Sequence, residues 1–282
     1  DRDNKNHYLT FGVHDVVEGE TPGDYVAQIK NRGGVGFVAH PSEKRHYFAN
    51  LPPYPWTAWD VADFDGIEIW NQMSEWVEHL KTLFSLVRFM YPRRFLRGAP
   101  RDVLQRWDEI NRERFTAGVG GVDAHTRKVS LWPLRLTVFP LKVELKGIRT
   151  HVFLPEGTDF RSLHRDSARC LLLEALRGGH GYVSNYRWGD ARGTIMLLED
   201  ARGRRVGPGE RTGPCELPAT VQVRLPQGGE LRLLKNGARV AVSHGADAAF
   251  SIDSPGVYRV EVHSRGRAWI YSNPFPVGEY PL

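Results

Sequence analysis

The sequence predicts an α/β chain: a parallel α/β sheet or barrel over the first two thirds, then a small antiparallel β-sandwich. Three observations carry this expectation. Short apolar runs such as "VGFVAHP" (35–41) and "AGVGGVD" (117–123) suit strands buried on both faces. Segments with apolar residues every three or four positions lie between such runs, as helices do between parallel strands. Beyond about residue 192 the helical period gives way to short alternating segments punctuated by turn signals.

Taken in order, "HYLTFGV" (7–13) is the first strand. Thr21-Pro22 is a helix start, and the helix "GDYVAQIKNRGG" runs out on Gly33-Gly34. The strand 35–41 follows, then a Pro- and Trp-rich loop (50–60) and the strand "DGIEIWN" (65–71). Trp76, Leu80, Leu83, Phe84, Val87 and Met90 predict a long helix over 74–91, and a second helix spans about 101–114. After the strand 117–123 and a loop rich in Pro and Leu come "GIRTHVFL" (147–154), a helix ending on Gly178-Gly179, and "GYVSN" (181–185). These elements make one domain, 1–192. Residues 193–282 make an Ig-like sandwich, with "GTIMLLED", "ATVQVRL", "ELRLLKNG", "FSID", "VYRVEVHS" and "RAWIYSN" as strands. Gly228-Gly229, Asn236-Gly237 and Pro255-Gly256 supply its turns.

Composition excludes several classes. With 282 residues, 41% hydrophobic and 25% charged, the chain is an ordinary globular one, and no apolar run is long enough to cross a membrane. Cys170 and Cys215 are too few for a disulfide scaffold and read as two unrelated thiols. The net charge of +5 comes from dispersed arginines; the densest cluster, "RRFLRGAPR" (93–101), reads as a solvated basic face. No nucleic-acid motif accompanies it, so nucleic acid is not an expected partner. Compartment is left undetermined.

Chemistry-bearing residues recur at the C-terminal ends of the predicted strands, where parallel α/β folds gather ligands. His40 ends "GFVAH", Glu68 and Asn71 lie in "GIEIWN", Asp123 and His125 end "GVGGVDAH", and Asn185 ends "GYVSN". Each alone reads as structural; their recurrence at one end points to a site. Imidazole and carboxylate are ligands for Zn, Mn or Fe, ions that activate water at neutral pH. There is no G-x-S-x-G elbow, P-loop or G-x-G-x-x-G, so metal-assisted hydrolysis is the expected reaction class.

The segments "GGVGFVAHPSEKR", "PWTAWDVADFDGIEIWNQMSEW", "GVGGVDAH" and "GIRTHVFL" together resemble the PHP (polymerase and histidinol phosphatase) superfamily, most of all its CehA/McbA-like metallohydrolase branch. The resemblance covers about residues 7–190 and implies a distorted β/α barrel of about seven strands. It implies two or three divalent ions (Zn, Mn or Fe) at the barrel mouth. His7, His40, Asp123 and His125 are the implied metal ligands; Asn71, Arg149, His151 and Asn185 are substrate or supporting groups as readily as structural ones. Glu68 reads as strand packing. The family's opening H-x-H is missing here, which leaves the expected barrel partial and its metal site incomplete. An upstream segment is then expected to complete both, and this chain alone to hold metal partially or weakly. The expected activity is phosphoester hydrolysis of a small molecule, with Arg149, Lys44 or Arg127 receiving the anion. The alternatives are an amide or carbamate hydrolase, and a non-catalytic scaffold whose sandwich aromatics Tyr258, Trp269 and Tyr271 form either a binding surface or simply the core.

Overall fold

A computed structural model describes residues 5–44, 52–79, 95–131, 134–138, 140–210 and 215–278. Its first sheet has four strands in the order β1 (Tyr8–Phe11), β2 (Val35–Val38), β3 (Gly66–Asn71) and β4 (Ala117–Gly121). The last three are parallel, whereas β1 runs antiparallel to β2. Helix α1 (Pro22–Asn31) starts where the sequence signals it: Thr21 and Asp24 form a reciprocal capping box, with Pro22 in the first turn. β2 and β3 are buried throughout: β2 is wholly apolar, and β3 buries Glu68 and Asn71 along with its apolar residues. Helix α2 (Gln72–Glu78) follows β3 directly; the rest of the helix expected to reach residue 91 lies outside the described residues. Helix α3 (Arg101–Glu113) lays Val103, Leu104 and Trp107 against a core that includes Trp56, Trp70 and Ile69.

Among the described residues the expected seven-stranded β/α barrel is absent, and strand (37%) exceeds helix (21%). After β4 the chain forms a hairpin, β5 (Arg127–Leu131) and β6 (Leu134–Val138), and a single helical turn, α4 (Leu141–Glu144). This stretch was expected to be loop. No crossover helix appears here among the described residues, and a parallel neighbour for β4 needs one. β7 (Ile148–Val152) and β8 (Gly181–Asn185), linked through helix α5 (Arg165–Arg177), pair antiparallel with each other, and β8 pairs antiparallel with β14 (Arg267–Ser272). Both strands therefore join the C-terminal strands in one nine-stranded sheet.

That sheet also contains β9 (Ile195–Glu199), β10 (Arg205–Val206), β11 (Ala219–Lys235), β12 (Ala238–Ile252), β13 (Gly256–Ser264) and β15 (Phe275–Val277). "ATVQVRL" and "ELRLLKNG" prove to be two halves of one strand, β11, which pairs β9 through its first half and β13 through its second. A register shift between Arg224 and Gly229 marks the change of partner, and the sheet curls so that both halves share one core. Trp269, Tyr258 and Tyr271 lie in the interior, so these aromatics form no binding surface.

The two sheets are joined by side chains acting as a missing strand. The Asn273 side chain accepts from the Gly118 N–H (2.6 Å) and donates to the Gly118 carbonyl (3.0 Å). The Thr150 hydroxyl accepts from the Gly120 N–H (2.9 Å) and donates to the Gly120 carbonyl (2.8 Å). The outer edge of β4 is thereby satisfied without a backbone partner. Glycine is needed here: a Cβ on Gly118 would meet Trp107 at 2.6 Å, and one on Gly120 would meet Val183 at 2.4 Å. A charged clasp adds to the joint. Arg259, almost wholly buried on β13, binds both carboxylate oxygens of Asp108 on α3 (2.6 and 2.8 Å) and also Glu261 (2.6 Å).

Candidate functional site

The residues at the ends of β1, β2, β3 and β4 line an open cleft of about 1930 Å³. His7 precedes β1 and His40 lies two residues beyond β2, and their facing nitrogens, Nδ1 and Nε2, stand 3.2 Å apart. That distance is a hydrogen bond when one nitrogen keeps its proton. It also suits two ligands of one tetrahedral ion, which at bond lengths of about 2.0–2.1 Å lie roughly 3.3 Å apart. Burial, then the neighbouring His40, lowers the His7 pKa, which favours the neutral imidazole that a metal requires.

Buried carboxylates support this pair. Glu68 Oε2 accepts from the His40 backbone N–H and from the Asn71 side chain, both at 2.9 Å. Asn71 Oδ1 in turn caps α2 by accepting from the Ser74 N–H. Glu43 accepts from the Ser74 hydroxyl (2.7 Å) and the Tyr54 N–H (2.8 Å), and its Oε2 lies 4.0 Å from His40 Nδ1. The Glu68 carboxyl is pushed up to about 7, chiefly by burial; its two hydrogen bonds oppose the shift, and Asp123 and Glu43 add to it.

Backbone strain gathers here too. Five non-glycine residues among those described have positive φ. Asn236 and Arg265 sit beside glycines in hairpin turns, where such values are expected. The other three, Asn6 (58°), His40 (29°) and Asp123 (47°), all line the cleft. Gly121 completes the fit, since a Cβ there would come within 2.9 Å of Glu68 Oε1.

Of the residues singled out in the sequence, His7, His40, Asn71 and Asp123 thus come together, joined by Glu68 and Glu43. Glu43 carries a signal in retrospect, because it stands three residues after His40 in "HPSE". His125 is mostly exposed and turns back to bond the Asp123 carbonyl (2.8 Å). His151 stacks on Tyr182 and contacts the Ser184 hydroxyl at 2.8 Å. Asn185 is fully buried and accepts from the Arg187 N–H, while Arg149 lies over the Tyr186 ring. None of these four lines the cleft. Lys44 is engaged by Asp102 at 2.6 Å, and the Arg127 side chain lies outside the described residues.

Two nitrogens and a nearby carboxylate fit part of a divalent-ion site; among the described residues no set of three His, Cys, Asp or Glu side chains is arranged to hold an ion. Six acidic side chains and no lysine or arginine line the cleft among the described residues. No protein-family model, curated protein or solved structure matches the chain.

Proposed function

We propose that the cleft is part of the active site of a divalent-metal-dependent hydrolase. The observation that carries this reading is the imidazole pair, His7 and His40, at ligand spacing, with His40 on a strained backbone. His7 and His40 would hold the ion as two of its donors, and Asp123, just past the end of β4, lines the same cleft. What a bound ion supplies is Lewis acidity, which makes water nucleophilic near neutral pH. Glu43 Oε2 stands 4.0 Å behind the buried His40 Nδ1, beyond hydrogen-bond reach, and so places a carboxylate near that ring without bonding it. Glu68, held by the His40 N–H and by Asn71, would be the carboxylate placed beside the ion to take up and return a proton.

The lining favours a neutral acyl substrate, an amide or carbamate, over a phosphomonoester dianion. The six acidic groups repel an anion, Lys44 is already paired, and Arg149 lies over Tyr186. The test loads the 282-residue chain with Zn²⁺ or Mn²⁺ and measures retained metal by plasma mass spectrometry. Hydrolysis of an aryl carbamate and an aryl phosphate is followed in parallel. Metal retention with carbamate turnover, both lost in His7→Ala/His40→Ala, is the expected result. Equal retention by the double variant, or no metal and no turnover in the parent, overturns the reading; phosphate turnover alone overturns the substrate preference.

A further inference from the structure

Beside the turn that follows β8, two adjoining cavities of about 430 and 350 Å³ share Trp188 and Arg265 as a common wall. They have no lining residue in common with the metal cleft. Their size is that of small-molecule sites. The charges on their walls do not cancel. Glu230 is paired with Arg232, and Asp190 with Arg192, the latter through Nε at 2.8 Å. Arg187 and Arg265 line the same space, and neither has an acidic partner among the described residues. An excess of two guanidinium groups therefore faces an open, polar space.

The remaining wall is suited to hydroxyl groups. Gln227, His244, His263 and Ser264 line the larger cavity, and Gln227 fixes the Trp188 carbonyl at 2.7 Å. The Trp188 ring is partly buried against the sandwich core, its indole Nε1 has no hydrogen-bond partner, and the Arg187 guanidinium lies 5.7 Å over it. An aromatic ring between two cavities, ringed by polar groups and two unpaired arginines, matches a chain of pyranose rings bearing carboxylates. We propose that this surface binds an acidic oligosaccharide, with Trp188 packing against a sugar ring and Arg187 and Arg265 receiving uronate carboxylates.

The test is calorimetric titration of the full chain with trigalacturonic acid, maltotriose and inorganic phosphate. Trigalacturonic acid is expected to bind roughly tenfold or more tightly than maltotriose, the neutral trimer lacking the paired charges. Arg187→Gln/Arg265→Gln should remove that preference while leaving the unfolding midpoint unchanged. Trp188→Leu, which keeps apolar bulk on the core, should weaken both saccharides. His7→Ala/His40→Ala should bind trigalacturonic acid like the parent, so this site stands or falls apart from the hydrolase reading. No binding of trigalacturonic acid, equal binding by the double-arginine variant, or competition by phosphate at comparable affinity overturns the proposal.

Discussion

Replacing Asn273 with alanine should weaken the whole molecule, because that amide, together with the Thr150 hydroxyl, closes the edge of the first sheet onto the second. The amide pairs both backbone groups of Gly118, at 2.6 and 3.0 Å, in a position only 3% exposed. Alanine leaves a buried N–H and a buried carbonyl without partners, and each such group costs about 1–3 kcal/mol. The sum centres on about 4 kcal/mol, a large share of the 5–15 kcal/mol typical of a domain. In urea, with a slope of about 2–3 kcal/mol/M, the midpoint should fall by roughly 1.5 M. Equilibrium unfolding followed by both tryptophan fluorescence and far-UV circular dichroism gives the value. Asn273→Asp is the sharper control: it keeps the acceptor for the Gly118 N–H but sets an oxygen against the Gly118 carbonyl. A loss below about 1 kcal/mol in Asn273→Ala, or an aspartate variant as stable as the parent, would refute the claim that these two hydrogen bonds hold the joint.

Glu261 should give the stability profile an acid limb. Burial alone would raise its pKa, but the His263 contact and the Arg259 charge outweigh it and hold the carboxyl at about 2, below the ordinary 4.5. Its contribution, about 3 kcal/mol, is therefore present above pH 4.5 and lost as pH falls toward 2; Glu261→Gln should flatten that limb in urea titrations across pH. Glu75 works in the opposite sense: burial pushes it up to about 7 despite the indole N–H of Trp70 at 2.7 Å. Stability should fall as pH rises from 4.5 to 7, and Glu75→Gln should remove its share of that slope while that of Glu68 persists; an unchanged slope would place the proton elsewhere. Arg259→Met strands the buried Glu261 carboxylate and the partly buried Asp108 and should cost about 3–5 kcal/mol, whereas Arg259→Met with Asp108→Leu and Glu261→Leu should recover most of it. Gly120→Ala forces a methyl to within 2.4 Å of Val183 and should cost about 1–3 kcal/mol by thermal unfolding, against little loss for Gly23→Ala, where a Cβ would meet nothing closer than 3.8 Å.

What the sequence conveys about this fold is local. The start of α1 is encoded within four residues, Thr21 to Asp24, and the structure uses that signal directly. The buried runs at β2, β3, β4 and β8 announce themselves as strands, but an apolar run carries no information on the direction of its neighbour. β7 and β8 illustrate this: a strand–helix–strand pattern that suggests a parallel unit folds as an antiparallel pair. β12 goes largely unread because it is an outer strand, with Val240 and Val242 exposed and Ala, Ser and Gly between polar residues. In the cleft, His7, His40, Asn71 and Asp123 are legible as strand-end polar residues. Glu68 looks like packing until its hydrogen bond to the His40 N–H is seen, a contact across 28 residues. His125 fails for a geometric reason: Asp123 adopts a left-handed conformation, and the chain then turns the next imidazole outward.

The joint at β4 also sets an order of events during synthesis. Gly118 and Asn273 are separated by 155 residues, so a ribosome adding about 5–20 residues per second takes roughly 8–30 s to pass from one to the other. Thr150 can claim the amide and carbonyl of Gly120 within 30 residues, but throughout that interval those of Gly118 stay unclaimed on the border of the nascent first sheet. A backbone partner accepts almost any sequence, so such a border is open to any extended segment, including one from a neighbouring nascent chain. The late arrival of a single asparagine closes the window, and the molecule's exposure to chaperones and to mispairing is governed by the time taken to translate that stretch.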